Sequence, residues 1–237
     1  MHDLQQLRLP FPESIRGFDD LAITDANRAA FATIRKWNDW QASTLCLVGP
    51  VQCGLGIAAK LWAREADATV LSAATFDSFD LKQVEELTER NCVIDLADQI
   101  TSEDHLLTLL NRVQSKDKRL LLTARAPAPT WGCTSRDLKS RLDTMPVAEI
   151  YAPDEEMIKA RLLTSSKRRY IKLNSATLNF LAIRLPRSYE AIEDYVARLD
   201  KAIDDTGRIP SMHLAKSVLE EGISTRKLFD DVQNETD

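Results

Sequence analysis

No two of the four cysteines, Cys46, Cys53, Cys92 and Cys133, are spaced as a C-x-x-C pair. Without that spacing a structural zinc site and a disulfide framework both lose their sequence basis. Cys46 and Cys92 lie inside apolar, strand-like runs, so buried reduced thiols of a cytoplasmic protein are expected. His2, His105 and His213 have no cysteine or carboxylate set at ligand spacing, and no metal site is assigned to them. Long apolar runs are missing too. None approaches the ~20 residues that span a bilayer, and the N-terminus has neither the charged start nor the apolar core of a signal peptide. Positive charge is short, the net charge being −5, so no overall field draws the chain to nucleic acid or acidic lipid. Direct DNA contact is expected to be weak at most, and a membrane is not a partner. There is no internal repeat and no low-complexity tract.

What is present is 237 residues at 44% apolar content, enough for one sizeable core or a core with a small companion domain. The chain pivots on LCLVGPVQCGLGIAAKLW at 45–62. An apolar strand leads into a glycine turn and then a helix, the outline of a phosphate-binding loop. Gly49 and Gly54 stand where G-x-x-x-x-G-K-[ST] places its glycines. Leu55 and Gly56 follow, where the pattern has lysine and a hydroxyl residue.

Ahead of the loop, Pro10 and Pro12 forbid a helix through residues 1–12. The extended QLRLPF at 6–11 is either a peptide that docks apolar side chains on another protein or a strap on its own domain. From Thr24 or Asp25, either of which could cap it, a helix is expected with Ala29, Ala30, Ile34 and Trp37 facing inward. A strand is predicted at 44–49, leading into the loop, and further strands after it at 68–73, 92–97, 119–125 and 146–152. Helices at 80–90, 103–115 and 135–142 alternate with them. Five apolar strands separated by helices imply an α/β fold with a mostly parallel sheet. Past Pro153 the pattern is helical only, near 154–168, 174–184, 188–205 and 211–221, with Asp154 and Asn174 as caps. The domains expected are a terminal peptide at 1–12, an α/β base at 13–152, a helical lid at 153–222 and an acidic tail at 223–237.

Four side chains stand where phosphate chemistry would use them. Asp95 ends the run CVI, the place of a magnesium-associated carboxylate, though Leu96 follows where a second acid is usual and Asp98 lies three residues on. Thr123 closes the strand LLLT, where a hydroxyl could sense a phosphate. Arg141 in DLKSRL is either an arginine offered to a neighbour's nucleotide or a surface residue paired with Asp137 or Asp143. Arg187 opens the third lid helix. The run Lys167, Arg168, Arg169 is either a solvated face or a local nucleic-acid contact.

Taken in order, QLRLPF, WNDW, LVGPVQCGLG, VIDLAD, LLTLLNRV, LLLTARAPAPTW, DLKSRL and PRSYEAIEDYVARLDKA resemble the DnaA-related AAA+ proteins, and among them the Hda type of alphaproteobacteria. The resemblance spans residues 5–220. It implies an AAA+ P-loop base with a five-stranded, mostly parallel sheet and a small helical lid. It also implies a regulator of replication initiation, tethered to the sliding clamp (the beta subunit of DNA polymerase III), that promotes hydrolysis of ATP held by the initiator DnaA. Gln6, Leu7, Leu9, Pro10 and Phe11 fit the clamp peptide, with Arg8 in place of the usual Ser or Asp. Arg141 fits the arginine finger. Gly49, Gly54, Leu55, Gly56, Asp95, Thr123 and Arg187 fall on the nucleotide positions, the sensor arginine aligning with either Arg187 or Glu190. A homodimer is compatible with this scheme. No helix-turn-helix domain is expected after the lid, which sets the chain apart from the initiator itself.

The departures from the family pattern define the rest. Leu55 replaces the lysine that holds the β/γ-phosphates and Gly56 the hydroxyl that holds magnesium. Lys60, one turn further on, points away. Losing charge-assisted bonds of ~1.5–3 kcal/mol each would weaken nucleotide binding by roughly ten- to a hundredfold or more. ADP or ATP is therefore expected to bind weakly or not at all, magnesium is left short of ligands, and hydrolysis by this chain is not expected. Backbone N–H groups at the helix start remain as an anion site. The competing readings are a non-catalytic AAA+ scaffold and an active clamp- or helicase-loader-like ATPase.

Overall fold

The computed structural model describes residues 17–207 and 209–222. The clamp-peptide residues Gln6, Leu7, Leu9, Pro10 and Phe11, and the tail from residue 223, lie outside them. The described chain divides into two compact units, one ending at Ala152 and one beginning at Pro153.

The first unit alternates helix and strand: α1 (Arg28–Arg35), β1 (Thr44–Val48), α2 (Leu55–Glu65), β2 (Ala68–Ser72), α3 (Ala73–Asp77), α4 (Leu81–Leu87), β3 (Asn91–Asp95), α5 (Glu103–Ser115), β4 (Leu120–Ala124), α6 (Arg136–Asp143) and β5 (Val147–Glu149). All strand pairings are parallel, and the order across the five-stranded sheet is β2-β3-β4-β1-β5. Parallel neighbours need a crossover each, and the intervening helices supply it while covering the sheet. β4, in the middle, is buried at every position and carries the run LLLTA. β2, at an edge, is largely exposed. Cys46, Ile94 and Leu122 contribute to one packed cluster with Leu109, Val113 and Leu142 from the helices.

The WNDW segment proves to be a packing device. Trp62 of α2 is fully buried. The ring of Trp40 stacks on it at 5.6 Å, and that of Trp37 meets it edge-on at 6.2 Å. The N-terminal helix differs from expectation. Asn27 is its N-cap, and the turn before it is tied by the Asn27 side chain, which accepts from the Thr24 N–H at 2.9 Å. The helix ends at Arg35, before Trp37; Phe31 is buried with Ala30 and Ile34, Ala29 is exposed and Trp37 is half-buried. The five-residue α3 has too short a period to read from sequence.

The second unit comprises α7 (Glu155–Arg168), α8 (Ser175–Arg184), α9 (Tyr189–Thr206) and α10 (212–222). Asp154 and Asn174 take the cap positions expected of them, accepting from Met157 N at 2.7 Å and Thr177 N at 2.8 Å. Gly207, at φ 61, ends α9 in the left-handed conformation that glycine adopts without strain. Ile158, Leu162, Leu181, Ile192, Leu199 and Leu214 centre its separate core. Arg169 turns back to donate to Ser165 Oγ at 3.0 Å and approaches Asp200 at 3.8 Å, so the basic run is partly consumed in closing α7. Among the described residues no helix is long and apolar enough to cross a membrane.

All four cysteines are free thiols, three of them buried and Cys133 half-buried. Burial pushes the Cys46 and Cys92 thiols from 9.0 up to about 12. Between those values the unfolded chain has released both protons while the native chain retains them. Native stability is therefore expected to fall as pH rises from 9, by about 1.4 kcal/mol per unit for each thiol; below 9 these groups add no pH dependence. Urea melts from pH 8 to 11 should give this slope, and a shallower one for Cys92→Ala.

Candidate functional site

Parallel strands deliver their C-terminal ends to one edge of the sheet, and there the loop residues, Asp95 and Thr123 meet. Leu47 of β1 is in register with Thr123 of β4, and Ile94 of β3 with Leu122, so Asp95 and Thr123 emerge side by side next to the loop. The turn at 49–54 requires its glycines for different reasons. Gly54 has φ 109, a region closed to most side chains. At Gly49 the constraint is space, since a Cβ there would lie 2.6 Å from Cys53 Sγ and 3.1 Å from Ile150 Cβ. Gln52 is also left-handed, with φ 61.

Arg125, which the sequence reading passed over, holds this turn. Its guanidinium donates to the carbonyls of Gly49 at 3.3 Å and Pro50 at 2.7 Å, while its backbone N–H donates to Asp98 Oδ2 at 3.1 Å. Only its place two residues beyond Thr123 could have suggested it.

Thr123 is fully buried, and its hydroxyl is committed within the protein. It donates to Asp95 Oδ1 at 2.5 Å and accepts from the Leu96 N–H at 2.9 Å. Leu96 has φ 56, strained for a branched side chain, and the bond to Thr123 secures that conformation. Thr123→Val keeps the shape and removes both bonds, so it is expected to cost about 1–3 kcal/mol in urea unfolding, with Thr123→Ser retaining most of the stability. A Val variant as stable as the parent would show that the hydroxyl is not structural.

The residues do not fit a magnesium nucleotide. Leu55, the first residue of α2, is only 2% exposed and belongs to the core. A Cβ on Gly56 would stand 3.6 Å from Asp95 Oδ2. The metal-holding hydroxyl of the family pattern would thus face this carboxylate, and it is absent. What remains is the Asp95 carboxylate, its Oδ1 already bonded to Thr123, and that of Asp98, whose Oδ2 accepts from the Arg125 N–H. Among the described residues no group of three or more His, Cys, Asp or Glu is placed to hold a metal.

Arg141 lies at the other end of the sheet. It is exposed in the last turn of α6, beside a cleft of about 250 Å³ that includes Ser43 and Thr44 at the start of β1 and Pro146 before β5. It does not pair with Asp137 or Asp143. Its Nη1 donates to Gln114 Oε1 of α5 at 2.8 Å. The start of α6 is fixed to α5 as well: Glu103 accepts from Thr134 N at 2.7 Å and Ser135 N at 2.8 Å. Those backbone bonds lower the pKa of the Glu103 carboxyl, and Ser135 is the N-cap of α6. In the second unit Arg187 is exposed, immediately before the α9 cap Ser188, and Glu190 follows in the first turn.

The chain matches no protein-family model. A protein of Haemophilus influenzae of uncharacterized function is 29% identical over 161 residues, which are 66% of this chain and 69% of that one. Among solved structures, domain III of the Thermotoga maritima replication initiation protein DnaA aligns over 86% of this chain and 95% of its own, with a TM-score of 0.69 at 16% identity. DnaA of Aquifex aeolicus bound to AMPPCP aligns over 84% and 69%, with a TM-score of 0.66 at 14% identity. The Thermotoga maritima RuvB branch-migration motor aligns over 81% and 65%, with a TM-score of 0.58 at 15% identity. At these identities the likeness defines the fold: the chain has the AAA+ α/β fold.

Proposed function

We propose that this AAA+ protein is a regulator of chromosome replication initiation. In this reading it attaches to the DNA polymerase III sliding clamp through residues 6–11 and promotes hydrolysis of ATP held by DnaA, to which it lends Arg141. The nucleotide hydrolysed belongs to the partner, so the missing lysine and hydroxyl at Leu55 and Gly56 are tolerated. The chain itself turns over no ATP, and its own loop serves as structure.

The observation that carries the proposal is the state of Arg141. It is an exposed guanidinium bound to a neutral amide, at the sheet end opposite to the chain's own loop. The length of β1 separates the two ends, roughly 15 Å at about 3.3 Å per residue. A cation so placed faces away from its own nucleotide position and is available to an anion brought by another molecule. Stabilisation of transferring phosphoryl oxygens by such an arginine is worth ~10³–10⁵ in rate.

The test is a reconstituted assay that follows conversion of DnaA-bound ATP to ADP, with clamp loaded on DNA or omitted. Acceleration by this protein that needs the clamp is the expected result. Acceleration equal without the clamp removes the tether from the scheme. Clamp binding with no acceleration replaces the scheme with a scaffold, and turnover of free ATP by the isolated chain with an ATPase.

A further inference from the structure

Resting on that reading of Arg141, we infer that Gln114 positions the guanidinium and that its amide N–H groups supply a second donor to the same partner-held phosphate. A glutamine amide has an acceptor oxygen and two N–H donors. Here the oxygen is taken by Arg141 Nη1, which leaves the amide nitrogen, on the same carbon, beside the guanidinium. Two groups of donors one hydrogen bond apart can address two oxygens of one phosphate, as a bidentate clamp does.

The neutrality of the partner is what points to an anion. The chain has 36 acidic residues, with Asp137 and Asp143 flanking Arg141 on α6. A carboxylate in the place of Gln114 would hold the arginine more tightly, but it would cancel the charge and repel a phosphate. An amide orients without cancelling. The adjoining cleft is lined by Gln41, Ser43, Leu110 and Thr144, among others, and contains no acid. It offers hydrogen-bonding groups to an incoming phosphate and nothing that repels it. Gln114 and Arg141 sit on different helices, 27 residues apart. The Glu103 anchor fixes the relative position of those helices at their other ends.

The test uses full-length protein with DnaA–ATP and clamp on DNA, comparing Gln114→Ala and Gln114→Glu with the parent. Gln114→Ala is expected to lower the maximal stimulated rate roughly tenfold while leaving the half-saturating protein concentration and the melting temperature unchanged. Gln114→Glu should lower the rate further, because it pairs with Arg141. In an Arg141→Ala background, Gln114→Ala should add a loss clearly smaller than it causes in the parent, because only the direct contact of the amide remains to be removed. The inference is overturned if Arg141→Ala is inactive yet both Gln114 variants keep the parent rate. It is equally overturned if the Gln114 loss persists undiminished without Arg141, or appears only as weaker half-saturation. A fully active Arg141→Ala protein would instead overturn the function on which the inference rests.

Discussion

Replacing Arg141 by alanine is expected to remove the stimulation of DnaA-bound ATP hydrolysis, a loss of roughly 10³-fold or more, while binding to the clamp is unchanged. The fold predicts that the loss is chemical and not a consequence of unfolding. Arg141 is exposed, and the bond of its guanidinium to Gln114 joins two exposed side chains. Such a bond contributes about 1 kcal/mol or less to stability. Leu138 and Leu142, the neighbours that anchor α6 in the core, are untouched. Arg141→Lys tests the geometry of the group. It preserves the charge and gives up the planar fork, so activity well below the parent is expected. A lysine variant with full activity would reduce the requirement to charge alone, and an alanine variant with full stimulation would refute the assigned role.

The second large effect concerns the chain's own loop. The double substitution Leu55→Lys, Gly56→Ser is expected to raise affinity for magnesium nucleotide by roughly a hundredfold. It restores two charge-assisted contacts of ~1.5–3 kcal/mol each, less the cost of reshaping the loop. Gly56→Ser is sterically permitted, because the new Cβ makes ordinary contact with Asp95 Oδ2 at 3.6 Å and brings a hydroxyl to that carboxylate. Leu55→Lys carries a cost. The leucine is 2% exposed, and a buried ammonium without a partner is destabilising. The double variant should therefore melt lower than the parent when free and recover on adding ADP or ATP with magnesium, since a ligand that binds only the native state stabilises it. Calorimetric titration and thermal melts measure both halves. A parent protein that binds nucleotide at sub-micromolar affinity would invalidate the view of this loop as degenerate. A variant that gains nothing would place the obstacle elsewhere, with Arg125 on the Gly49 and Pro50 carbonyls the first group to examine.

Much of the first unit was legible in the residues. β1, β3 and β4 are short apolar runs bounded by polar turns, and α5 was read at 103–115, the span it occupies. Burial on one face writes itself into local periodicity. The N-terminal helix was misread at Trp37 because α1 ends at Arg35 and Trp37 lies in the short turn after it. The spacing that linked Ala29 to Trp37 thus ran past the helix end, and the inward face is that of Ala30, Phe31 and Ile34. The loop frame and Asp95 were legible because a strand end, a glycine turn and a helix start adjoin in sequence.

By itself the sequence determined the five strands and their alternation with helices, the glycine loop followed by Leu55 and Gly56, and the places of Asp95 and Thr123 at strand ends and of Arg141 on the helix before β5. Each of these is written within a window of a few residues. The tertiary structure alone decided which partners those side chains have. Thr123 spends its hydroxyl on Asp95 and Leu96, 28 and 27 residues away. Arg125 reaches back 75 and 76 residues to the loop carbonyls. Arg141 passes over the acids beside it in sequence for a glutamine on another helix. Periodicity records whether a side chain faces in or out. It does not record what stands opposite, because that depends on strand order and on how the crossover helices pack, which the chain fixes only when it folds.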